Sequence, residues 1–311
     1  MLKMTSQLIF DELASRGIAV EVFDLQAGIL RYRHNNRWHY IFSSRPESTS
    51  AIGAKICDEK NLTTKLAIDL GVLSPATLFY SDVLTAKDFL SKHKIIVVKP
   101  LDASHGNGIT VNVKTEEGLK NACNVASAAS ETGQIILQQQ VTGDDLRVLV
   151  IGGKYVAACQ RIPARVFGNG KSTILQLIEH ENQTNSLRDY DYKNQLNVID
   201  LGAAKRYLKD QINSIPADGQ EVRVVGTANM GTGGEAIDIT NTLPSQIIKD
   251  AEKLAQALKI TACGVDFMYN SKTQEYNFIE ANSTPSFGLH ENPTHGQAQP
   301  VTKRFVEYIL S

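Results

Sequence analysis

Two apolar runs near the C-terminal end of this 311-residue chain each carry acidic groups. Cys263-Gly-Val-Asp266-Phe-Met-Tyr269 and Tyr276-Asn-Phe-Ile-Glu280-Ala-Asn282 read as strands, and Asn270-Ser-Lys-Thr-Gln274 between them has the length and polarity of a hairpin turn. With the turn centred on Lys272, Asp266 faces Phe278 and lies diagonal to Glu280. Alternation along the strands then puts Asp266, Glu280 and Asn282 on one face. Two carboxylates and an amide are hard oxygen donors, suited to one or two Mg2+ (or Mn2+) ions that keep water and nucleotide phosphates in their remaining positions. A plainer reading stays open: Asp266 caps a strand end and Glu280 pairs with a lysine.

A second group of residues offers cations and backbone donors to phosphate. Lys99 follows the apolar run Ile95-Ile-Val-Val98, and Pro100 leads into a turn containing Gly106 and Gly108. Glycines let backbone N–H groups approach an oxyanion closely, and the lysine adds a point charge. A dinucleotide fingerprint would need a third glycine where Val111 stands, so it fails, and a plain hairpin turn is the competing reading. Gly168-Asn-Gly170-Lys171-Ser172-Thr173 looks like the end of a P-loop, but Arg165 occupies the place of its first glycine. A glycine-rich lid that brings Arg161, Arg165 and Lys171 to phosphates fits better, because phosphoryl transfer needs cations on the equatorial oxygens. Asn229-Met-Gly231-Thr-Gly233-Gly234 offers backbone donors and one amide, or is a simple flexible turn. His290 and His295 read as surface residues with no metal role. No Gly-x-Ser-x-Gly elbow and no His-Glu-x-x-His helix occurs, which removes serine hydrolase and zinc protease chemistry.

The elements that must position these groups alternate between helix and strand. Residues 5–16 have helical spacing and stop at Gly17, after which 20–23, 29–33 and 38–42 alternate as strands. A helix over 60–70 stops at Gly71. Strands at 95–98 and 109–113, a helix at 116–130 and a strand at 135–140 form one unit, and strands at 146–151 and 155–160 form a second hairpin. A strand at 221–225 and a long helix at 245–258 precede the acidic hairpin. The polar stretch 180–197 lacks periodicity and is expected to be a mobile loop.

A hydrophobic content of 42% over this length allows a sizeable core. The net charge of -1, with both signs scattered, gives no reason to expect nucleic-acid or membrane partners. Apolar runs are strand-length, far below the roughly 20 residues of a bilayer-spanning helix. The first residues lack a charged segment followed by an apolar one, so no secretory signal is expected and a cytoplasmic location follows. Cys57, Cys123, Cys159 and Cys263 form no Cys-x-x-Cys pair and read as buried thiols rather than a zinc site or disulfide frame.

Taken in order, several stretches resemble the ATP-grasp superfamily. They are Glu59-Lys60 with Thr64-Lys65, Val97-Val-Lys99-Pro100 with Gly106-Asn-Gly108, and Gly143-Asp-Asp145-Leu-Arg147. Further along come Arg161-Ile-Pro163-Ala with Gly168-Asn-Gly170-Lys171, Thr227-Ala-Asn229 with Thr232-Gly233-Gly234, Gly264-Val-Asp266, and Ile279-Glu280-Ala-Asn282. The chain is most similar to the ATP-grasp portions of cyanophycin synthetase and of bifunctional glutathione synthetase. The resemblance implies an α/β (α+β) ATP-grasp fold, in which a small lid subdomain (58–141) and a large subdomain with the metal site (142–311) clasp ATP. A truncated α/β unit (1–57) precedes them.

Residue by residue, the resemblance implies that Lys60 and Lys99 bind phosphates, that the turn from Gly106 to Gly108 closes over them, and that Gln138, Gln139 and Val141 border adenine. It implies Asp145 for the ribose hydroxyls and Asp266, Glu280 and Asn282 as metal ligands. Arg147, Arg161 and Lys171, with Asn229, would hold an acyl phosphate and substrate carboxylates. The implied activity is an ATP- and Mg2+-dependent carboxylate–amine ligase acting on an amino acid or short peptide, glutathione synthetase-like or another dipeptide-forming step, and a homodimer. The chain contains neither the second ligase domain of the cyanophycin enzyme nor a glutamate–cysteine ligase domain, so a single ligation is expected. Two positions depart from the pattern: Gln138 replaces an acid, and Val225 replaces an arginine for which Arg223 is the candidate substitute. Losing one such donor costs about 3 kcal/mol of transition-state stabilisation, which keeps open the alternative of a nucleotide-binding ATP-grasp module with lost or altered catalysis.

Overall fold

The computed structural model describes residues 2–102, 108–189 and 196–311. Its centre is a five-stranded sheet in the order Glu235–Asp238, Lys154–Ile162, Asp144–Ile151, Ala262–Asn270 and Glu275–Asn282, with all neighbours antiparallel. Along Asp144–Ile151 the side chains alternate between two environments. Leu146, Val148 and Val150 share a core with Ile247, Ala251, Leu254 and Leu258 of helix Ser245–Leu258, whose buried residues recur at the three- and four-residue spacing of one helical stripe. On the other face, Leu149 and Ile151 pack with Ile9 and Leu13 of helix Met4–Ser15 and with Val301, Phe305 and Val306 of helix Val301–Ile309. Toward the strand's beginning, that same face carries Asp145 and Arg147. Fully buried phenylalanines at 267, 278, 287 and 305 anchor the two layers, each contributing on the order of 3 kcal/mol.

The N-terminal strands Val20–Asp24, Ile29–His34, Arg37–Phe42 and Arg45–Pro46 pair consecutively. Their buried residues Leu30, Tyr32 and Ile41 belong to the cluster around Leu149 and Phe305, so these strands share the core of the large sheet. Helix Ala51–Asp58, absent from the sequence reading, crosses the C-terminal end of helix Ser245–Leu258 at Gly53, where a Cβ would stand 1.9 Å from the Leu258 carbonyl oxygen.

Helix Lys60–Asp69 places Ala67 in the same core as Leu254 and Phe278. The expected lobe boundary at residue 58 therefore moves: the small lobe's own four-stranded sheet starts at Thr77–Phe79 and continues with Ile135–Gln139, Ile96–Pro100 and Thr110–Val113. Helices Val83–His93 and Glu116–Ala129 cover it through Ala86, Leu90, Leu119 and Ala126.

Between strands Lys154–Ile162 and Glu235–Asp238 lies an insertion with a core of its own, including Val166, Ile178, Leu208, Val224 and Val225. Its helix Ile174–Thr184 starts with a capping box formed by Thr173 and Gln176. The helix takes up residues 180–184 of the stretch expected to be a loop, and Arg188–Asp189 pairs in parallel with Leu196–Asn197. The remainder of that stretch, 190–195, lies outside the described residues. Among the described residues no helix is long and apolar enough to cross a membrane.

Gly53 has no room for a side chain against backbone. Gly53→Ala is expected to lower the free energy of unfolding by about 1–3 kcal/mol, the range for an overpacked contact, read from the urea midpoint at unchanged slope.

Candidate active site

Asp266 stands at the centre of the polar end of the large sheet, opposite Arg147 on one neighbouring strand and opposite Glu280 on the other. The expected partner across the hairpin was Phe278. Two features change the register: the strands close with Asn270 opposite Glu275, and a bulge between Asp266 and Phe267 leaves Ile279 unpaired. Glu280 thereby moves from the diagonal to the directly facing position. Asn282, opposite Gly264, follows on the same face.

The carboxylate of Asp266 accepts hydrogen bonds from two guanidinium groups. Arg147 Nη2 lies 2.9 Å from Oδ2 and Arg147 Nε binds Oδ1, while Arg161 Nη2 lies 2.8 Å from Oδ2. Arg161 also reaches Asp145 Oδ1, from Nε at 3.0 Å and from Nη2 at 2.5 Å. Asp266 and Arg147 are 2% and 6% exposed, a depth at which an unpaired charge costs several kcal/mol, so each makes the other's burial tolerable. Burial alone would raise the Asp266 carboxyl, but Arg147 and Arg161 together hold it below the ordinary carboxylate value. For Asp145, burial raises the carboxyl more than Arg161 lowers it, and the charge of Asp266 adds to the rise.

The small lobe brings Lys99 toward this row. Lys99 is buried, and its Nζ donates to Gln138 Oε1 at 2.9 Å, while Gln138 Nε2 donates to Thr77 Oγ1 at 3.0 Å. A neutral amide gives the ammonium a hydrogen bond without a counter-charge. Burial first, and then the positive charge of Lys60, push Lys99 down from 10.5 to about 8, against the pull of Glu280. Lys60, Lys99 and Glu280, from three different elements, are thus electrostatic neighbours.

The other predicted residues are distributed as follows. Gly108 has φ +73°, and a Cβ there would lie 2.5 Å from that of Ala129, so its place in the turn requires glycine. Gly106 lies outside the described residues. Gln139 and Val141 follow Gln138 and are half-buried, with the Gln139 N–H donating to Ala76 O at 2.8 Å. Lys171 is exposed in a turn whose N–H groups, from Lys171 and Ser172, donate to Asn169 Oδ1. Arg165 turns to Glu235 and Glu221 at 3.1 and 3.0 Å. Arg223 is exposed and donates to the carbonyls of Val225 and Gly226, and it does not join the Asp266 network. Asn229 accepts the Gly231 N–H at 2.9 Å, capping a short 3-10 turn.

His290, read from sequence as a surface residue, is 2% exposed. Neither ring nitrogen has a partner among the described residues, and burial together with the charge of Arg147 pushes it down to about 3. The flanking Phe287 and Leu289, both buried, were the available sign of this. Arg147 was predicted, but nothing in the linear sequence joined it to Asp266.

The donor set on the hairpin is chemically suited to a hard divalent cation, since it contains only oxygen. The Asn282 Oδ1 accepts the Thr284 N–H at 2.8 Å, which orients the amide. Among the described residues no three His, Cys, Asp or Glu side chains gather for a metal. The candidate ligands are therefore two carboxylates and an amide, of which Asp266 is already charge-balanced by arginines.

A family model for the ATP-grasp domain of prokaryotic glutathione synthetase matches residues 63–196. The chain carries an ATP-grasp domain of this kind. It is 29% identical to the glutathione biosynthesis bifunctional protein of Streptococcus agalactiae, over 98% of this chain and 42% of that protein. It is 31% identical to the cyanophycin synthetase of Geminocystis herdmanii, over 98% of this chain and 36% of that one. The solved structure of a bifunctional glutathione synthetase from Pasteurella multocida has the same fold, with a TM-score of 0.70 at 23% identity, covering 99% of this chain and 43% of that chain. The chain spans less than half the length of these relatives. The expected mixed α/β ATP-grasp fold is borne out.

Replacing Asp266 by Asn leaves Arg147 buried beside a neutral group. The loss is expected to be about 3–5 kcal/mol of unfolding free energy at neutral pH, measured by urea denaturation. Because the folded carboxyl titrates below its unfolded value of 3.8, this contribution is complete above that value and fades as the pH falls through the folded one. The wild-type and variant curves therefore converge only in strong acid.

Proposed function

We infer that the domain is an ATP- and Mg2+-dependent carboxylate–amine ligase acting on an amino acid or short peptide through an acyl phosphate. The γ-phosphoryl group would pass from ATP to a substrate carboxylate oxygen, releasing ADP. An amine would then attack the acyl carbon, forming the amide and releasing phosphate. The observation that carries this reading is the buried row of Arg147, Asp266 and Arg161, with Glu280 directly across the hairpin from Asp266.

Lys60 and Lys99 would hold phosphate oxygens, and Gln138 keeps the Lys99 ammonium aimed without neutralising it. Arg147 and Arg161 stay charged at any working pH and are oriented by Asp266 and Asp145, a preorganised cationic pair for developing charge on a transferred phosphoryl group. With its Oδ1 taken by Arg161, Asp145 would offer Oδ2 to a ribose hydroxyl. Glu280 and Asn282, with Asp266, would hold Mg2+, which when bound neutralises phosphate charge and aligns the phosphates. Gln139 and Val141 would border adenine through the backbone. A cytoplasmic, homodimeric enzyme is part of the same reading, as is a glutathione synthetase-like choice of substrates.

One observation favours a second reading, a nucleotide-binding module with altered catalysis. Val225 is buried where the family pattern has an arginine, and Arg223 is bound to its own backbone.

Release of ADP from ATP with pooled amino acids and dipeptides, with and without Mg2+, separates the two. Substrate-stimulated, Mg2+-dependent release is expected; nucleotide binding with no stimulation across a broad panel would leave only the module. Glu280→Gln is expected to reduce the stimulated rate at least by the roughly 10–100-fold typical of lesser, outer-shell changes. Lys99 is cationic below about pH 8, so affinity for the nucleotide should weaken as the pH rises from 7 to 9. Lys99→Arg should remove that dependence, because a guanidinium does not titrate there.

A further inference from the structure

Arg188 lies inside the inserted unit with 1% of its side chain exposed. Its guanidinium ties together three segments. Nε donates to Glu181 Oε1 on helix Ile174–Thr184 at 2.9 Å, and Nη1 donates to Asn197 O at 2.8 Å and to Gly233 O at 3.0 Å. Gly233 belongs to the glycine-rich loop 229–234. Asn197 grips that loop a second time, its Nδ2 donating to Met230 O at 2.9 Å, and the Asp200 N–H reaches Thr232 O at 3.4 Å. Gly233 has φ +92°, and a Cβ there would stand 2.7 Å from Ile199 Cα, so the loop is also pressed against backbone.

The same loop abuts the strand that carries Arg161. A Cβ at Gly234 would stand 2.8 Å from Asn229 O and 2.9 Å from Ile162 O. Glu235 and Ala236, which leave the loop, pair with Ile162 and Arg161. A shift of the loop is therefore a shift of Asn229 relative to Arg161. Within the loop, the N–H groups of Thr232 and Gly234 donate to Asn229 O, and that of Gly231 donates to Asn229 Oδ1. With Oδ1 engaged in this way, the amide of Asn229 offers its Nδ2 donors to a ligand.

We propose that Arg188 is a positioning residue for the ligation: it fixes the loop 229–234 so that the Asn229 amide stands beside Arg161, where the acyl phosphate forms. Arg188 itself touches neither nucleotide nor substrate. The inference rests on the ligase reading above and deepens it, because the loop serves the reacting substrate while the nucleotide is held by Lys60 and Lys99. A buried guanidinium is a poor device for stability alone. Its desolvation costs several kcal/mol, and well-packed apolar groups in place of such a pair are often as stable or more so. What an apolar side chain lacks is direction: the planar donors of arginine set the carbonyls of Asn197 and Gly233 at fixed angles about one group.

Two measurements on the full chain separate positioning from mere support. One is the affinity for a non-hydrolysable ATP analogue; the other is the rate of ADP release stimulated by pooled amino acids and dipeptides at saturating ATP and Mg2+. Arg188→Met combined with Glu181→Leu leaves neither charge without its partner. In this variant the stimulated rate should fall about 10–100-fold, up to the cost of a misplacement of about 1 Å, while the analogue binds as in the wild type. In Arg188→Ala, millimolar guanidinium should restore part of the lost rate with no gain in folded fraction by circular dichroism. That second variant decides the matter if the first fails to fold. An undiminished rate in the double variant, an analogue affinity that falls in step with the rate, or no rescue beyond the folded fraction overturns the proposal. A stimulated wild-type rate with an unaffected double variant removes this inference and leaves the ligase reading standing. No stimulated release from the wild type removes both.

Discussion

The burial of Asp266 between Arg147 and Arg161 is the interaction on which the rest of the site depends. A carboxylate and a guanidinium at this depth are admissible only together, because each alone would carry an uncompensated charge into a region of low dielectric. Their pairing therefore constrains three strands at once: Arg147, Asp266 and Arg161 come from three consecutive neighbours in the sheet. A register slip of one residue in any of them would turn a charged group into the apolar layer against helix Ser245–Leu258. The chemistry and the strand register are, in this sense, the same constraint.

The large sheet accommodates the row by dividing one of its faces. Toward one end, Leu149 and Ile151 are sealed by helices from both chain termini; toward the other, Asp145 and Arg147 on the same face are left for polar partners. The small lobe, built on a separate core, presents Lys99 on the face of its sheet opposite the one covered by helices. Two cores with polar faces turned toward a common region are a means of enclosing a charged ligand without burying it in either. The third core, inserted between strands Lys154–Ile162 and Glu235–Asp238, gives the segment around Lys171 and Asn229 its own support.

Much of this was legible in the chain because it is local. Helix Ser245–Leu258 follows from apolar spacing alone, and the acidic hairpin follows from two apolar runs around a polar turn. Helix Ile174–Thr184 is hard to read from sequence because its apolar positions are few and its polar face continues into residues without periodicity, although Thr173 and Gln176 spell its capping box. The boundary at residue 58 was misplaced because a helix gives no sign of which sheet it will cover; Ala67 chose the large one. His290 escaped because a lone histidine looks polar in sequence, while its burial depends on what surrounds Phe287 and Leu289.

The sequence by itself determined the types of group available and their local presentation: oxygen donors on alternate positions of a hairpin, a lysine ending a buried strand, and arginines spaced to share faces. These are properties of period and residue chemistry, which need no knowledge of distant neighbours. Only the tertiary structure decided which charge meets which. The closure of the hairpin at Asn270 and Glu275, together with one bulge, set Glu280 directly across from Asp266, the packing of three strands gave Asp266 to two arginines, and the collapse of Val225 into the inserted core left Arg223 on its own backbone. Pairings of that kind depend on contacts more than 100 residues apart, such as Arg147 with Asp266 at a separation of 119. No local pattern encodes them, because their energy exists only once the apolar layers have brought the strands together.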